Sequence, residues 1–418
     1  PVSGVRWSAK LRSRAAWHDE DTPPPMPSPF LEPTVDLDVL RPTHLQVDLD
    51  QLAANYAAIQ THVRGRKVMA VLKANAYGHG LVPMARLYEH LGADMLGVAY
   101  LEEGIRLRRA GITTPILVLG GIIGDQIPAF LQHDLTLTAS SVDKLLAIEE
   151  VAAAIGRRAR VHLKIDTGME RIGVHWYSAA PLIEASLRCL HVEVEGIYSH
   201  LANADAADLT HARLQVERFE EVLDSYRTHG AEPPLRHLAN SGAILQLPEA
   251  WYDLVRPGIL LYGVLPSEDV PHAVPVQGAL RWVSRVVYFK VVQPGNPVSY
   301  GSTWAPDRLT RVITVPVGYG DGYQRRMSGQ AEVLVHGARY PVVGRICMDQ
   351  VMVDIGWNSA YNGDEVVLLG QQGDARITVE ELARWVGTIP YEILTAINTR
   401  VPRVYAGTLA AGLELGSG

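Results

Sequence analysis

From Val68 onward, short apolar runs alternate with longer stretches in which apolar residues recur every three or four positions. The runs are VMAVL, MLGVA, PILVL, LTLT, RVHLKI, VEGIYS, LRHLA and DLVRPGI, eight in all. Amphipathic segments such as LVPMARLYEHLG, SVDKLLAIEEVAAAIG and HARLQVERFEEVLDSYRTHG lie between them. This is the rhythm of strand, helix and parallel strand, and eight repeats predict a closed (β/α)8 TIM barrel of the α/β class. An open doubly wound sheet fits less well, because no G-x-G-x-x-G follows the first run.

After about residue 275 the pattern changes to RWVSRVVYFKVV, RVITVPVGY, AEVLVHGARYPVVG, MVDIG and DEVVLLG, runs broken by Gly, Pro and Asp-Gly signals. They predict a second, mainly β domain over residues 276–418, following a barrel domain over 38–275. The early run HLQVDL would be a ninth barrel strand, so it is expected to pair with the second domain. Residues 1–37, with the basic VRWSAKLRSR and the proline-rich DTPPPMPSPF, read as a flexible N-terminal extension.

Composition narrows the function classes. With 47% hydrophobic residues, 20% charged residues and a net charge of −7, the chain reads as globular, with no basic excess for nucleic acid. Glycines interrupt PILVLGGIIG before it is long enough to span a bilayer, so no membrane span is expected. Only Cys189 and Cys347 are present, which excludes a disulfide framework and suits a reducing, cytoplasmic setting. No metal site is expected.

The chemistry is concentrated at strand ends. In VMAVLKANAYGHG, Lys73 closes a buried apolar run, where an ammonium group is costly unless paired or neutralised. Barrel enzymes build their sites at the C-terminal ends of the strands. Lys73, Lys164, Asp166, His200, Asn240, Ser241 and Arg256 all fall there, so seven polar groups are expected on one rim. The Arg-Pro-Gly-Ile tail adds backbone N–H groups at Gly258 and Ile259 beside the Ser241 hydroxyl, a cluster suited to phosphate. A lysine, a phosphate nest and an arginine at one mouth together suggest a pyridoxal phosphate site.

Nine blocks, AVLKANAYGHG, LKIDTGMERIG, YSHLANAD, HLANSGA, LVRPGILLYG, VSYGSTW, VGYGDGY, GRICMDQ and RVPRVY, resemble in order the motifs of the alanine racemase family, pyridoxal-phosphate enzymes of fold type III. The resemblance runs from about residue 44 to 405. It implies two-base interconversion of L- and D-alanine, supplying D-alanine for peptidoglycan. Lys73 resembles the Schiff-base lysine that serves the D enantiomer, and Tyr300 the base for the L enantiomer on the opposite face. Arg171 and the backbone N–H of Met348 resemble the groups that hold the substrate carboxylate, with Asp349 shaping the same edge.

The resemblance further implies that Tyr77, Tyr391, Asn240, Ser241, Gly258 and Ile259 surround the cofactor. Arg256 would face its ring nitrogen, with His200 alongside, and Lys164 resembles a lysine often carbamylated in the family. Residues matching Tyr300 and Met348 reach the partner's barrel mouth in relatives, so a homodimer with composite sites is implied. His79 recurs in the lysine motif without a chemical role. The alternatives are a broad-specificity racemase for serine or basic amino acids, a fold-type III decarboxylase using Cys347, and a cofactor-carrying barrel without turnover.

Overall fold

The computed structural model describes residues 41–413; the expected N-terminal extension lies outside them. After β1 (His44–Asp48), the eight predicted runs form β2 (Lys67–Val71), β3 (Met95–Val98), β4 (Ile116–Val118), β5 (Leu137–Ala139), β6 (Ala159–Asp166), β8 (Val192–Tyr198), β9 (Leu235–His237) and β10 (Leu254–Val255). A two-residue strand, β7 (Val174–His175), pairs with the end of β6. Neighbouring barrel strands pair in parallel, with Leu117 and Thr136 bridging β4 to β5. The circle closes because β10 pairs with β2, while Asp253 N–H donates to Arg236 C=O at 3.1 Å and Arg256 N–H to Ala239 C=O at 3.0 Å.

Met69, Met95, Leu117, Tyr198 and Leu254 form a small apolar cluster within the barrel, separate from the larger core between strands and helices. Above it the interior turns polar. His162 on β6 lies over Gly196 on β8, where a Cβ would stand 2.6 Å from the imidazole Nδ1. Glycine at that position is what lets a buried histidine occupy the barrel axis.

The chain leaves β2 in an uncommon conformation. Ala74, Asn75, Ala76 and Tyr77 have φ of 55°, 55°, 53° and 51°, so four consecutive non-glycine residues wind left-handed immediately after Lys73. Such backbone costs about 1–2 kcal/mol per L-residue, since Cβ crowds the following carbonyl. Hydrogen bonds offset the strain: Ala74 N–H donates to the Glu103 carboxylate at 2.8 Å, Ala76 N–H to Leu72 C=O at 2.7 Å, and Leu81 N–H to Asn75 Oδ1 at 2.9 Å.

The second domain contributes β11 (Leu280–Arg285), β12 (Tyr288–Val292), β13 (Thr310–Val315), β14 (Glu332–Val335), β15 (Ala338–Val343), β16 (Val351–Gly356), β17 (Glu365–Gln372), β18 (Ala375–Ile377) and β19 (Arg403–Ala406). Its sheet runs in the order β12-β13-β16-β15-β14-β17-β11-β1-β19, with β18 beside β17. HLQVDL therefore supplies β1 to this sheet, antiparallel to β11 and parallel to β19. The run RWVSRVVYFKVV is not one strand: it breaks at Val286 and Val287 so that β11 joins β17 while β12 joins β13. Two short helices, Val379–Val386 and Pro390–Ala396, were not expected from the strand-like pattern. The second places Tyr391 over the barrel mouth.

Replacing Gly196 by Ala forces a methyl into the His162 ring and is expected to cost about 1–3 kcal/mol, as overpacking a filled core does. Urea unfolding of the variant measures this, and a midpoint equal to wild type would contradict the packing described.

Candidate active site

Where β2, β6, β8, β9 and β10 end, a cavity of 160 Å³ opens at the barrel mouth. Eleven of the expected site residues line it: Lys73, Tyr77, Lys164, Arg171, His200, Asn240, Ser241, Arg256, Gly258, Ile259 and Tyr391. The expectation that Asp166 joins them is not met. Its carboxylate accepts N–H bonds from Gly168 at 2.8 Å, Met169 at 2.9 Å and Arg171 at 3.0 Å. Asp166 thus folds the loop that presents Arg171, and those N–H donors hold its carboxyl below the usual range although burial opposes them.

One end of the cavity is built for an anion. Ser241 Oγ lies 2.9 Å from Gly258 N, and a Cβ at Gly258 would sit 2.4 Å from the Tyr77 hydroxyl. Only glycine lets that hydroxyl lie so close to the backbone that follows Arg256. Burial raises the Tyr77 and Tyr391 phenols above their ordinary range, so both remain donors. These hydroxyls and N–H groups match the oxygens of a phosphate. Asn240 braces the arrangement: its Oδ1 accepts from Ala243 N–H at 3.1 Å, and its Nδ2 donates to Leu201 C=O at 3.3 Å.

The rest of the cavity is crowded with cationic side chains. Lys73, Lys164, Arg171 and Arg256 line it with a single carboxylate, Asp205. Burial, then Arg171 and Arg256, pull Lys73 below the ordinary lysine range, and Glu103 opposes them. Lys164 is pushed far lower, by burial first and then by Arg256 and Arg171; its Nζ rests 4.3 Å from the centre of the Tyr198 ring. The shift biases these lysines toward the neutral amine, the form that adds to a carbonyl or to carbon dioxide.

Arg256 is fixed by the barrel rather than by a carboxylate. Its Nη2 donates to Ser199 C=O at 2.8 Å and Leu238 C=O at 3.1 Å, with His200 Nδ1 at 3.4 Å. Nη1 donates to His237 Nδ1 at 3.0 Å, which leaves the His237 proton on Nε2 to bridge to His162 Nδ1 at 2.7 Å. Burial is the main reason all three histidines stay neutral, with His162 lowered to about 3. The 3.9 Å approach of His162 to Glu195 is therefore not an ion pair. Arg256 itself, lowered by burial to about 10, keeps its charge near neutral pH.

Tyr198, His237 and His162 escaped the sequence reading, although strand alternation sets Tyr198 and His200 on one face and so marked the first of them. Tyr300, Met348 and Asp349 do not line the cavity. Tyr300 is 70% exposed on a turn with φ of 68° at Ser299 and 71° at Gly301, and Met348 is 52% exposed. Asp349 pairs with Arg400 at 2.7 Å. Cys347 lies beside Ser299, its sulfur 3.5 Å from the hydroxyl, on the β domain.

Residues 47–266 match the family model described as alanine racemase, N-terminal domain, and residues 279–405 the one described as alanine racemase, C-terminal domain. A protein of Carboxydothermus hydrogenoformans named alanine racemase is 46% identical over 368 residues, 88% of this chain and 100% of that protein. The solved alanine racemase of D-cycloserine-producing Streptomyces lavendulae superposes with a TM-score of 0.84 at 38% identity, covering 89% of this chain and 98% of that one. A histidine racemase from Leuconostoc mesenteroides subsp. sake reaches 0.81 at 29% identity, covering 88% of this chain and 98% of its own. With both halves matched and nearly half of the aligned residues identical to a named relative, the chain belongs to the alanine racemase family, whose members are pyridoxal-phosphate-dependent isomerases.

Proposed function

We propose that this chain interconverts L- and D-alanine, with pyridoxal 5'-phosphate held as a Schiff base by Lys73. The observation that carries the reading is the barrel mouth itself: a lysine with a lowered pKa, a ring of phosphate donors and an excess of fixed positive charge share one cavity. Tyr77, Ser241, Gly258, Ile259 and Tyr391 would hold the phosphate, and Arg256 would face the ring nitrogen. When bound, the cofactor supplies an electron sink that acidifies the α-proton of an amino acid.

The chain's own groups do the rest. Arg171 offers a guanidinium to the substrate carboxylate, and Lys73 takes or returns the proton on one face. Inversion needs a second acid–base group on the other face, since a single base would return the proton where it came from. Tyr300 fills that role from a second copy of the chain. In support, Tyr300 and Met348 are exposed on the same domain as Tyr288, Phe289 and Val291 of the edge strand β12. Exposed apolar side chains on that edge strand suit a contact surface, and a homodimer with two composite sites would cover them. Arg256 can only donate, so it would leave the ring nitrogen unprotonated and weaken the sink, favouring return of the intact substrate.

A carbamate on Lys164 would add one negative charge to the cavity that Arg171 and Arg256 also line, and burial together with those two cations favours the neutral amine needed to form it. The product would supply peptidoglycan synthesis in the cytoplasm. No described helix is long and apolar enough to cross a membrane.

Mixing Lys73→Ala and Tyr300→Phe chains, each inactive alone, is expected to restore roughly a quarter of wild-type racemisation after subunit exchange, since half of randomly paired dimers regain one intact site. No recovery would remove Tyr300 from a shared site. Carbon-13 NMR of the folded protein equilibrated at neutral pH with labelled bicarbonate is expected to show one carbamate carbon that Lys164→Met abolishes; absence of that resonance in wild type would dismiss the carbamate.

A further inference from the structure

We infer that β19 positions the lysine turn: Arg403 and Tyr405 hold the strained segment 74–80 from the second domain and thereby set the direction of Lys73. This rests on the reading of Lys73 as the cofactor lysine. Glu103 and backbone carbonyls take the N–H groups of Ala74, Ala76, Gly78, His79 and Gly80, and β19 takes the carbonyls of Gly78 and His79. Arg403 Nε donates to Gly78 C=O at 3.1 Å, and the Tyr405 hydroxyl to His79 C=O at 3.0 Å.

The approach is built into the glycines of the motif. A Cβ at Gly80 would stand 2.0 Å from the Tyr405 hydroxyl, and one at Gly78 would stand 2.3 Å from Leu394 C=O. Both have positive φ, 106° and 83°. Gly80 thus serves the contact with β19 as well as the turn, while Gly78 admits Leu394 of the helix Pro390–Ala396.

Arg403 is arranged for this and little else. Among the described residues it pairs with no carboxylate; its remaining donors go to Val401 C=O at 2.6 Å, Asn398 C=O at 2.8 Å and Ile397 C=O at 2.9 Å. Three bonds to its own neighbourhood fix the guanidinium plane and leave Nε aimed at the turn. A lysine could not reproduce this, because only the planar fork keeps its donors in fixed relative directions. β19 is anchored in turn by β1, with Leu45 opposite Arg403 and Val47 opposite Tyr405.

His79 gains a place in the same device. Its Nδ1 lies 3.0 Å from Tyr77 C=O, and its ring packs 4.4 Å from Tyr262, whose hydroxyl donates to Val71 C=O at 3.1 Å. The imidazole ties the end of the turn back to the strand from which Lys73 departs.

The test compares wild type with Tyr405→Phe, which removes one hydroxyl, and Arg403→Lys, which keeps the charge. In the cofactor-free protein, amide exchange of the peptide spanning 74–81 is expected to quicken about fivefold in each variant, the equivalent of roughly 1 kcal/mol for one lost hydrogen bond. The barrel strands should keep their protection. In the loaded enzyme, kcat is expected to fall about tenfold from a displaced reacting group while KM for L-alanine stays within about twofold. Unchanged exchange in both variants, exchange that quickens equally throughout the barrel, or faster exchange with kcat unaltered would each overturn the inference. If wild-type holoenzyme does not racemise alanine, the functional reading falls, and the exchange data still decide whether β19 holds the turn.

Discussion

The constraint on which the rest depends is the gathering of cationic groups around one partly buried barrel mouth. Charges in a protein interior repel more strongly than in water, so Lys73, Lys164, Arg171 and Arg256 can share the barrel mouth only if some give up protons and others are held by dipoles. Both solutions appear. The lysines are driven toward the neutral amine, the form in which they are nucleophiles. Arg256 keeps its charge by spending its donors on two carbonyls and a chain of neutral histidines. What the arrangement still lacks is negative charge, and a phosphate, a substrate carboxylate and a carbamate would each supply some. The electrostatics of the barrel mouth thus suit ligands that carry a phosphate or a carboxylate.

Direction is the second requirement, and it is met by strain. A lysine at the end of a strand would ordinarily follow the chain into a loop with many conformations. Here the chain winds left-handed for four residues, a path open to L-residues only while other contacts enforce it. Glu103 and Asn75 enforce it from the barrel, and Arg403 and Tyr405 from the second sheet. The second domain therefore brings Tyr391 to the barrel mouth and holds the lysine turn, while it presents Tyr300 outward. Its division of labour explains why a barrel alone would not complete this site.

Much of this was legible in the sequence. The eight barrel strands declared themselves because buried parallel strands read as short apolar runs, and eight of the cavity residues were found because they end or follow those runs, while Tyr77, Arg171 and Tyr391 came from the motif resemblance. Asp166 shows the limit: its position at a strand end was right, yet loop N–H groups claimed its carboxylate, and no spacing rule reveals such competition. The left-handed turn was equally hidden, since alanine and tyrosine carry no signal for positive φ. In the second domain, the apolar run from Arg281 to Val292 concealed a break between two strands, because both halves are β-forming and only their partners differ. His162 and His237 were passed over because polar residues inside a strand resemble surface alternation until the barrel closes around them.

The most direct measurement follows isotope and chirality together, with the cofactor-loaded protein and L-alanine in D2O. The expected product is D-alanine carrying deuterium at Cα, at a rate well above that with L-serine. Deuterated L-alanine with no D-alanine would contradict a two-base site, and loss of the carboxylate would replace racemisation with decarboxylation.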